Sequence, residues 1–307
     1  MSNFLITGID GGGTKTECIV SDIEGNLIGK GLAGPSNPRN QGLEVSAGNI
    51  VKSFRKAIGR RKGPVSVIFV ALAALEEEYA GRTNLIKKEL LKDKRILRNA
   101  ITFVSDQNVA FRAGTDEPDG IVVIAGTGSV VRGWNSGKDV KVSGWGYLAD
   151  EGSAFWVGRR AYQVIAKELD GRGERTVITK FSGFSDMREL NQKIYQDPSL
   201  VVPKLSIAVN NAANQGDGIA LAILEEGTNE LLTGVATVVE KLGFTNSFPL
   251  VVSGGMFKSK TFKVLFREKI KKHIPLARFI IPTKSPTFGS LKLAMEKHLA
   301  TSVTVKN

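Results

Sequence analysis

The chain has 307 residues, 42% of them hydrophobic, which is enough for two domains with a substantial core. Its 42 basic and 30 acidic residues give a formal net charge of +12, but the basic side chains are scattered over predicted helix faces, which argues against a nucleic-acid partner. One cysteine and two histidines exclude an intrachain disulfide and the usual zinc sites. No apolar run is long enough to span a membrane and the first residues lack a signal-peptide pattern, so we expect a soluble cytoplasmic protein without a membrane partner.

The first third of the chain predicts three strands followed by alternating helices and strands. In order, the pattern predicts strands at 4–9, 17–21 and 27–30, a helix at 43–60, a strand at 65–71, a helix at 83–91, a strand at 101–104 and a short helix after Asp106. A run of three glycines, Gly11 to Gly13, separates the first two strands.

The same order begins again at residue 121, where a second glycine turn, Gly126-Thr127-Gly128, separates two strands. The later predicted elements are strands at 121–125, 130–134 and 140–143, helices at 151–169, 186–195, 203–213 and 218–242, a strand at 250–252, a helix from 260, a strand at 278–281 and a helix at 287–298. This repeat predicts two similar lobes, joined through the polar segment 114–120.

The residues after the first glycine run exclude two common types of glycine-rich nucleotide motif. A P-loop or a dinucleotide motif leads into a helix, whereas Thr14-Lys15-Thr16 leads into a predicted strand. One interpretation is a tight hairpin that needs glycine only for positive φ. The other is a phosphate-binding turn, in which Asp10 holds Mg²⁺ and Thr14 and Lys15 donate to phosphate. Three consecutive glycines and the second glycine turn favour the phosphate interpretation.

Eight short motifs occur in order along nearly the whole chain. They are Asp10 to Thr16, Ser36-Asn37 with Gly42, Ser105-Asp106, Ala125 to Ser129, Gly144-Trp145-Gly146, Asp150 to Ser153, Gly216-Asp217 and Ser253-Gly254-Gly255. With them the chain resembles the family of N-acetylglucosamine kinases and activator-type ATPases of benzoyl-CoA reductase and 2-hydroxyacyl-CoA dehydratase, within the sugar kinase, Hsp70 and actin superfamily. It looks most like the archaeal broad-specificity hexokinases.

The resemblance implies an α/β protein with a two-lobed, actin-like ATPase (ribonuclease H-like) fold. Its duplicated βββαβαβα domains would flank a cleft, with lobes at 1–116 and 117–285 and a final helix at 286–307 returning to the first lobe. The family phosphorylates sugars with ATP and Mg²⁺, so the resemblance implies transfer of the γ-phosphoryl group to the 6-hydroxyl of a hexose or N-acetylhexosamine. It also implies a homodimer.

The resemblance also assigns roles to individual residues. Asp106 would be the catalytic base and Asp10 the metal ligand. The residues implied for ATP are Gly11, Gly12, Gly13, Thr14, Lys15, Gly126, Thr127, Gly128, Ala213, Gly254 and Gly255. Those implied for the sugar are Asn37, Asp106, Gly144, Trp145 and Asp150. The segment before Asp150 is one residue shorter than the family's form.

Simpler roles compete at several of these positions. From residue type alone, Asp106 and Asp150 suit the N-cap of the helix that follows each of them. Asn37 lies in a polar loop that suits a surface turn, and Trp145 suits a core aromatic.

Two other functions remain as alternatives to a sugar kinase. An activator-type ATPase holds an iron–sulfur cluster between two subunits, but a dimer of this chain supplies only one cysteine from each subunit, Cys18. A sugar-sensing regulator would carry a helix-turn-helix ahead of the kinase-like part, and we expect the first strand to begin at Phe4. Both alternatives amount to a nucleotide-binding protein without sugar kinase activity.

Overall fold

The computed structural model describes residues 3–72 and 83–304, and the chain divides into two compact units. The first unit comprises residues 1–116 and 282–307, and the second comprises residues 117–281. Within the described ranges, no helix is both long enough and apolar enough to cross a membrane.

Each unit is built on a five-stranded mixed sheet. The strands are β1 (Leu5–Gly11), β2 (Thr16–Ser21), β3 (Leu27–Ala33), β4 (Val65–Leu72), β5 (Ile101–Ser105), β6 (Gly120–Ala125), β7 (Ser129–Asn135), β8 (Lys138–Ser143), β9 (Phe248–Ser253) and β10 (Ala277–Ile280). The first sheet has the order β3-β2-β1-β4-β5 and the second has the order β10-β9-β6-β7-β8.

The two sheets share one pairing pattern. In the first unit β1, β2 and β3 pair antiparallel, and β4 and β5 then add parallel to β1. In the second unit β6, β7 and β8 form the same meander, to which β9 and β10 add in parallel. This duplication confirms the predicted α/β class with a βββ meander opening each lobe.

The helices cover the sheets and connect their parallel strands. They are α1 (Pro38–Gln41), α2 (Leu43–Ile58), α3 (Thr83–Leu90), α4 (Asp106–Gly114), α5 (Ala154–Leu169), α6 (Val177–Ser182), α7 (Met187–Gln196), α8 (Pro198–Ala213), α9 (Gly218–Leu242), α10 (Lys260–His273) and α11 (Pro286–Thr304). A 3₁₀ turn, Gly255–Lys258, precedes α10. The sequence did not predict α1, α6 or this turn, because each is too short to show a helical period.

The predicted starts of two helices were wrong, and capping residues explain both. Helix α5 begins at Ala154 rather than 151, because the Ser153 side chain caps it by accepting from the Trp156 amide. Helix α8 begins at Pro198 rather than 203, because Asp197 caps it and proline is well suited to the first turn.

Both faces of the first sheet are buried, each in its own hydrophobic core. Residues such as Ile9, Phe54 and Ile68 form the core on the α2 side, while Ile6 and Leu291 belong to the core on the α11 side. Helix α11 comes so close to β1 that a β-carbon added to Gly8 would lie 2.4 Å from the backbone nitrogen of Leu291. Glycine is therefore required there by packing, and the C-terminal helix is an integral part of the first unit.

Candidate functional site

The first glycine turn is closed by its own backbone. The Gly12 amide donates to the Lys15 carbonyl at 3.0 Å, and the Gly12 carbonyl accepts from the Ser36 amide at 3.0 Å. A β-carbon on Gly11 would lie 2.6 Å from Ser36 Oγ, whereas one on Gly13 would meet no atom of the described residues within 4 Å. None of the three glycines has a positive φ. The hairpin interpretation, which needs glycine for positive φ, is therefore wrong, and the turn tip has free space beside it.

Asp10 lies at the base of this turn among other carboxylates. It pairs directly opposite Glu17 across β1 and β2, so both side chains project from the same face of the sheet. Burial raises the pKa of Asp10 to about 7, the negative charges of Asp106 and Glu17 raise it as well, and the Lys15 ammonium opposes them. A cation placed here would be stabilised by all three carboxylates.

Glu17 connects the turn to the C-terminal helix. Its carboxylate is 2.6 Å from Lys30 Nζ and accepts hydrogen bonds from Thr287 Oγ1 at 2.7 Å and Ser285 Oγ at 3.1 Å. Burial pulls the pKa of Glu17 upward, but these hydrogen bonds and the Lys15 charge outweigh it and the net pKa is lowered. Glu17 therefore stays ionised beside Asp10.

Asp106 is the first residue of α4, not its cap. The cap is Ser105, whose hydroxyl accepts from the Asn108 amide at 3.3 Å. Asp106 Oδ1 accepts a hydrogen bond from Gln107 Nε2 at 2.6 Å. The N-cap interpretation of Asp106 is therefore wrong, because Ser105 caps α4.

The loop before α1 is attached to the first glycine turn. Ser36 is fully buried, its amide bonds to Gly12, and its hydroxyl accepts from Thr16 Oγ1 at 2.7 Å. Asn37 follows directly, and its carbonyl accepts from the Gln41 amide in α1. The structure thus places Asn37 beside the turn, in the same unit as Asp10 and Asp106.

The second glycine turn joins β6 to β7 and rests on the start of α5. The Gly126 amide donates to the Gly128 carbonyl at 2.8 Å, while the carbonyls of Gly126 and Thr127 accept from Ala154 and Phe155 at 2.8 and 3.2 Å. Neither glycine of this turn has a positive φ, and a β-carbon on Gly126 would meet no described atom within 4 Å. Each glycine turn therefore has open space beside one of its glycines, Gly13 or Gly126, which a phosphate-binding turn needs.

Of the predicted adenosine-side residues, Gly254 and its neighbour Gly255 lie beside the second turn. A β-carbon on Gly254 would lie 2.3 Å from the Ala125 carbonyl oxygen, which places the turn after β9 against the turn after β6. Ala213 ends α8 and Gly255 opens the 3₁₀ turn before α10. The two helices are tied by the hydrogen bond from Thr261 Oγ1 to Asn214 Oδ1 at 3.1 Å.

Trp145 and Asp150 occupy opposite environments in the loop after β8. Trp145 is 74% exposed, with Lys141 Nζ 5.1 Å from its ring centroid, so the core-aromatic interpretation is wrong. Asp150 is only 4% exposed, and Ser153 rather than Asp150 caps α5. A direct contact of Asp150 with sugar stays a prediction, and its carboxylate is engaged by donors of its own unit.

The predicted site residues therefore form one group in each unit. The first unit gathers Asp10, the turn Gly11 to Lys15, Asn37 and Asp106. The second unit gathers the residues Gly126, Thr127, Gly128, Gly144, Trp145, Asp150, Ala213, Gly254 and Gly255. Within the described part of the chain, no set of three or more His, Cys, Asp or Glu side chains is arranged to hold a metal ion. Any Mg²⁺ would need oxygen ligands from a bound phosphate or water in addition to Asp10.

A family model matches residues 7–291, which is nearly the whole chain and includes both glycine turns. The chain belongs to the BadF/BadG/BcrA/BcrD ATPase family. Membership of this ATPase family indicates that the chain uses ATP.

Two relatives of this family member are named as sugar kinases. The N-acetylmuramic acid/N-acetylglucosamine kinase of Clostridium acetobutylicum is 28% identical over 304 residues, covering 94% of this chain and 97% of the relative. The N-acetyl-D-glucosamine kinase of Dictyostelium discoideum is 27% identical and covers 96% of this chain and 99% of the relative. These relatives lend no support to a special likeness to archaeal hexokinases.

A solved structure confirms the two-lobed fold. A candidate N-acetylglucosamine kinase from Chromobacterium violaceum superposes with a TM-score of 0.75 at 21% identity, over 94% of this chain and 98% of that one.

Several residues around the predicted site were not predicted from the sequence. Glu17 was visible as a charged residue inside an otherwise buried strand, which signals a buried, paired carboxylate. Ser36 and Gln107 carried no such signal, because their partners become apparent only once the chain is folded.

Proposed function

We propose that this protein is a kinase that transfers the γ-phosphoryl group of ATP to the 6-hydroxyl of an N-acetylglucosamine-type sugar. The observation that carries the proposal is the position of Asp106, a carboxylate in the first turn of α4 whose negative charge acts on Asp10 at the base of the first glycine turn of an ATPase family member. The two relatives named as kinases of N-acetylated sugars support the choice of acceptor.

The proposed reaction gives roles to residues of both units. Asp106 takes the proton of the sugar hydroxyl as the oxygen attacks the γ-phosphorus, the bond to the β,γ-bridging oxygen breaks, and ADP leaves. Backbone amides of the two glycine turns, with Thr14, Lys15 and Thr127, orient the phosphates. Asn37, Gly144 and Trp145 contact the sugar.

Mg²⁺ fits the residues present at Asp10. A half-buried carboxylate whose pKa is raised to about 7, beside Asp106 and Glu17, is relieved of repulsion by a divalent cation. Asp10 would hold Mg²⁺, which would supply positive charge to offset the charge on the transferring group.

Replacing Asp106 by Asn tests the assignment of the base. We expect sugar-dependent ADP release to fall by roughly 10²- to 10⁴-fold, the range of general base catalysis, while a non-hydrolysable ATP analogue binds within about twofold of wild type. Asp22→Asn is the matched control, because Asp22 is an acidic turn residue of the same unit that bonds to Asn26 and lies in no predicted site. Near-normal turnover of Asp106→Asn would refute the assignment.

A sugar screen separates this proposal from the activator and regulator alternatives. We expect ADP release to depend on an added sugar and to be fastest with N-acetylglucosamine or N-acetylmuramic acid, compared with glucosamine, glucose and mannose. Release that is independent of sugar would favour an activator-type ATPase. That alternative is disfavoured by Cys18, the single cysteine, which is fully buried in β2 and cannot present its thiol at the surface.

A further inference from the structure

The carboxylate of Asp150 is held by four hydrogen-bond donors of the second unit. Its Oδ1 accepts from Ser143 Oγ at 3.2 Å, from the Trp145 amide at 2.9 Å and from the Gly146 amide at 3.2 Å. Its Oδ2 accepts from the Ser129 amide at 3.2 Å. Both oxygens of this buried side chain are therefore engaged by protein atoms.

One side of this network is the second glycine turn. Ser129 is the residue directly after the turn and opens β7. A β-carbon on Gly128 would lie 2.5 Å from Asp150 Oδ2, so the carboxylate fills the space that a side chain at Gly128 would occupy. The turn is thus held against Asp150 by both a hydrogen bond and close packing.

The other side of the network is the loop that carries Trp145. Ser143 has a φ of 64°, which is unusual for a residue with a side chain, and Gly144 and Gly146 have φ values of 79° and 123°. This backbone turns the amides of Trp145 and Gly146 toward one carboxylate, while the indole stays exposed. A strained backbone of this kind persists only where surrounding contacts fix it, and Asp150 supplies three of them.

We propose that Asp150 is a positioning residue that couples the nucleotide turn, Gly126 to Gly128, to the sugar loop, Gly144 to Gly146. This inference rests on the proposed function, because it takes the first segment to bind ATP and the second to bind sugar. A single buried carboxylate then sets the geometry of both segments, and its loss weakens the binding of both substrates.

A substitution of Asp150 alters nucleotide binding if the residue positions both segments, but not if it only contacts the sugar. In Asp150→Asn one carboxylate oxygen becomes an NH₂ group, which faces a backbone amide instead of accepting from it. We expect the dissociation constant for a non-hydrolysable ATP analogue, measured by calorimetry without sugar, to rise roughly tenfold. We also expect the fluorescence of Trp145 to change in the ligand-free protein, with Trp145→Phe identifying its signal.

Ser143→Ala is a second variant that removes one donor and leaves the carboxylate in place. We expect it to weaken analogue binding in the same direction by a smaller factor, and it serves the test if Asp150→Asn fails to fold. Asp139→Asn is the control, because Asp139 lies in the neighbouring β8 and pairs with Arg132.

A direct sugar ligand would give a different pattern. Analogue affinity within about twofold of wild type in the folded variants, with unchanged ligand-free Trp145 fluorescence, would overturn the coupling. Neither measurement needs sugar turnover. A protein that phosphorylates no sugar would therefore refute the proposed function without deciding the coupling.

Discussion

Asp10 carries a charge that folding makes unfavourable. With a pKa of about 7 against an ordinary value of 3.8, it retains a proton in the folded state between about pH 4 and 7 that it has lost in the unfolded chain. The folded state consequently loses stability as pH rises through this window, by up to about 4 kcal/mol once Asp10 is ionised.

Asp10→Asn removes this penalty. In EDTA we expect the variant to be more stable than wild type, with a gap in melting temperature that widens from pH 5 to pH 8. Added Mg²⁺ and ATP analogue are expected to raise the melting temperature of wild type more than that of the variant. A gap that stays constant with pH would show that Asp10 is not a buried, repelled carboxylate.

Gln107 orients the proposed base through its 2.6 Å hydrogen bond to Asp106 Oδ1. We expect Gln107→Ala to lower kcat by roughly tenfold, with the KM for ATP within about twofold of wild type, since a hydrogen bond to a charged group has about this energy. Steady-state kinetics over both substrates checks this, with Gln196→Ala at the end of α7 as a control. An unchanged kcat would mean that Asp106 is positioned without Gln107.

The sequence predicted candidate site residues by their type and motif, but it did not predict their hydrogen-bond partners. Asp106, Trp145 and the glycines were identified from motifs. Whether Asp106 caps its helix depends on which of two adjacent polar residues takes that position, and Ser105 does. The bonds of Glu17 to Ser285 and Thr287 join residues almost a full chain length apart, which no local pattern can show.

Among elements, the second glycine turn contains an open position, Gly126, whereas Gly8 in β1 is tightly packed. Gly126 does not have a positive φ, and a β-carbon added there would meet no described atom within 4 Å. We therefore expect Gly126→Ala to fold with unchanged or slightly higher stability. If its space is for phosphate, affinity for an ATP analogue falls by tenfold or more, about 1.4 kcal/mol.

Gly8→Ala is the contrasting variant. Its new β-carbon would overlap the backbone of α11, so we expect a loss of about 3 kcal/mol in the free energy of unfolding. Denaturant titration and calorimetry on the two variants test both statements. Normal analogue binding by Gly126→Ala would contradict a phosphate role for the second turn.

At the scale of the whole molecule, the duplication was predictable because each lobe begins with the same strand, glycine turn and strand. The buried strands were long and apolar enough to place within a few residues. Helix starts were less predictable, because the caps Ser153 and Asp197 compete with nearby residues of similar type. The homodimer implied by the resemblance and the cytoplasmic location expected from the sequence stay predictions.

The central claim is that this ATPase family member transfers phosphate to a sugar. Phosphorus NMR of a reaction with ATP, Mg²⁺ and N-acetylglucosamine tests it most directly, because the product's phosphorus signal is split by the protons of the carbon that carries it. We predict equal amounts of ADP and a monophosphate ester coupled to the two protons of carbon 6. Inorganic phosphate as the only new signal besides ADP, or no turnover with any sugar in the screen, would contradict the claim.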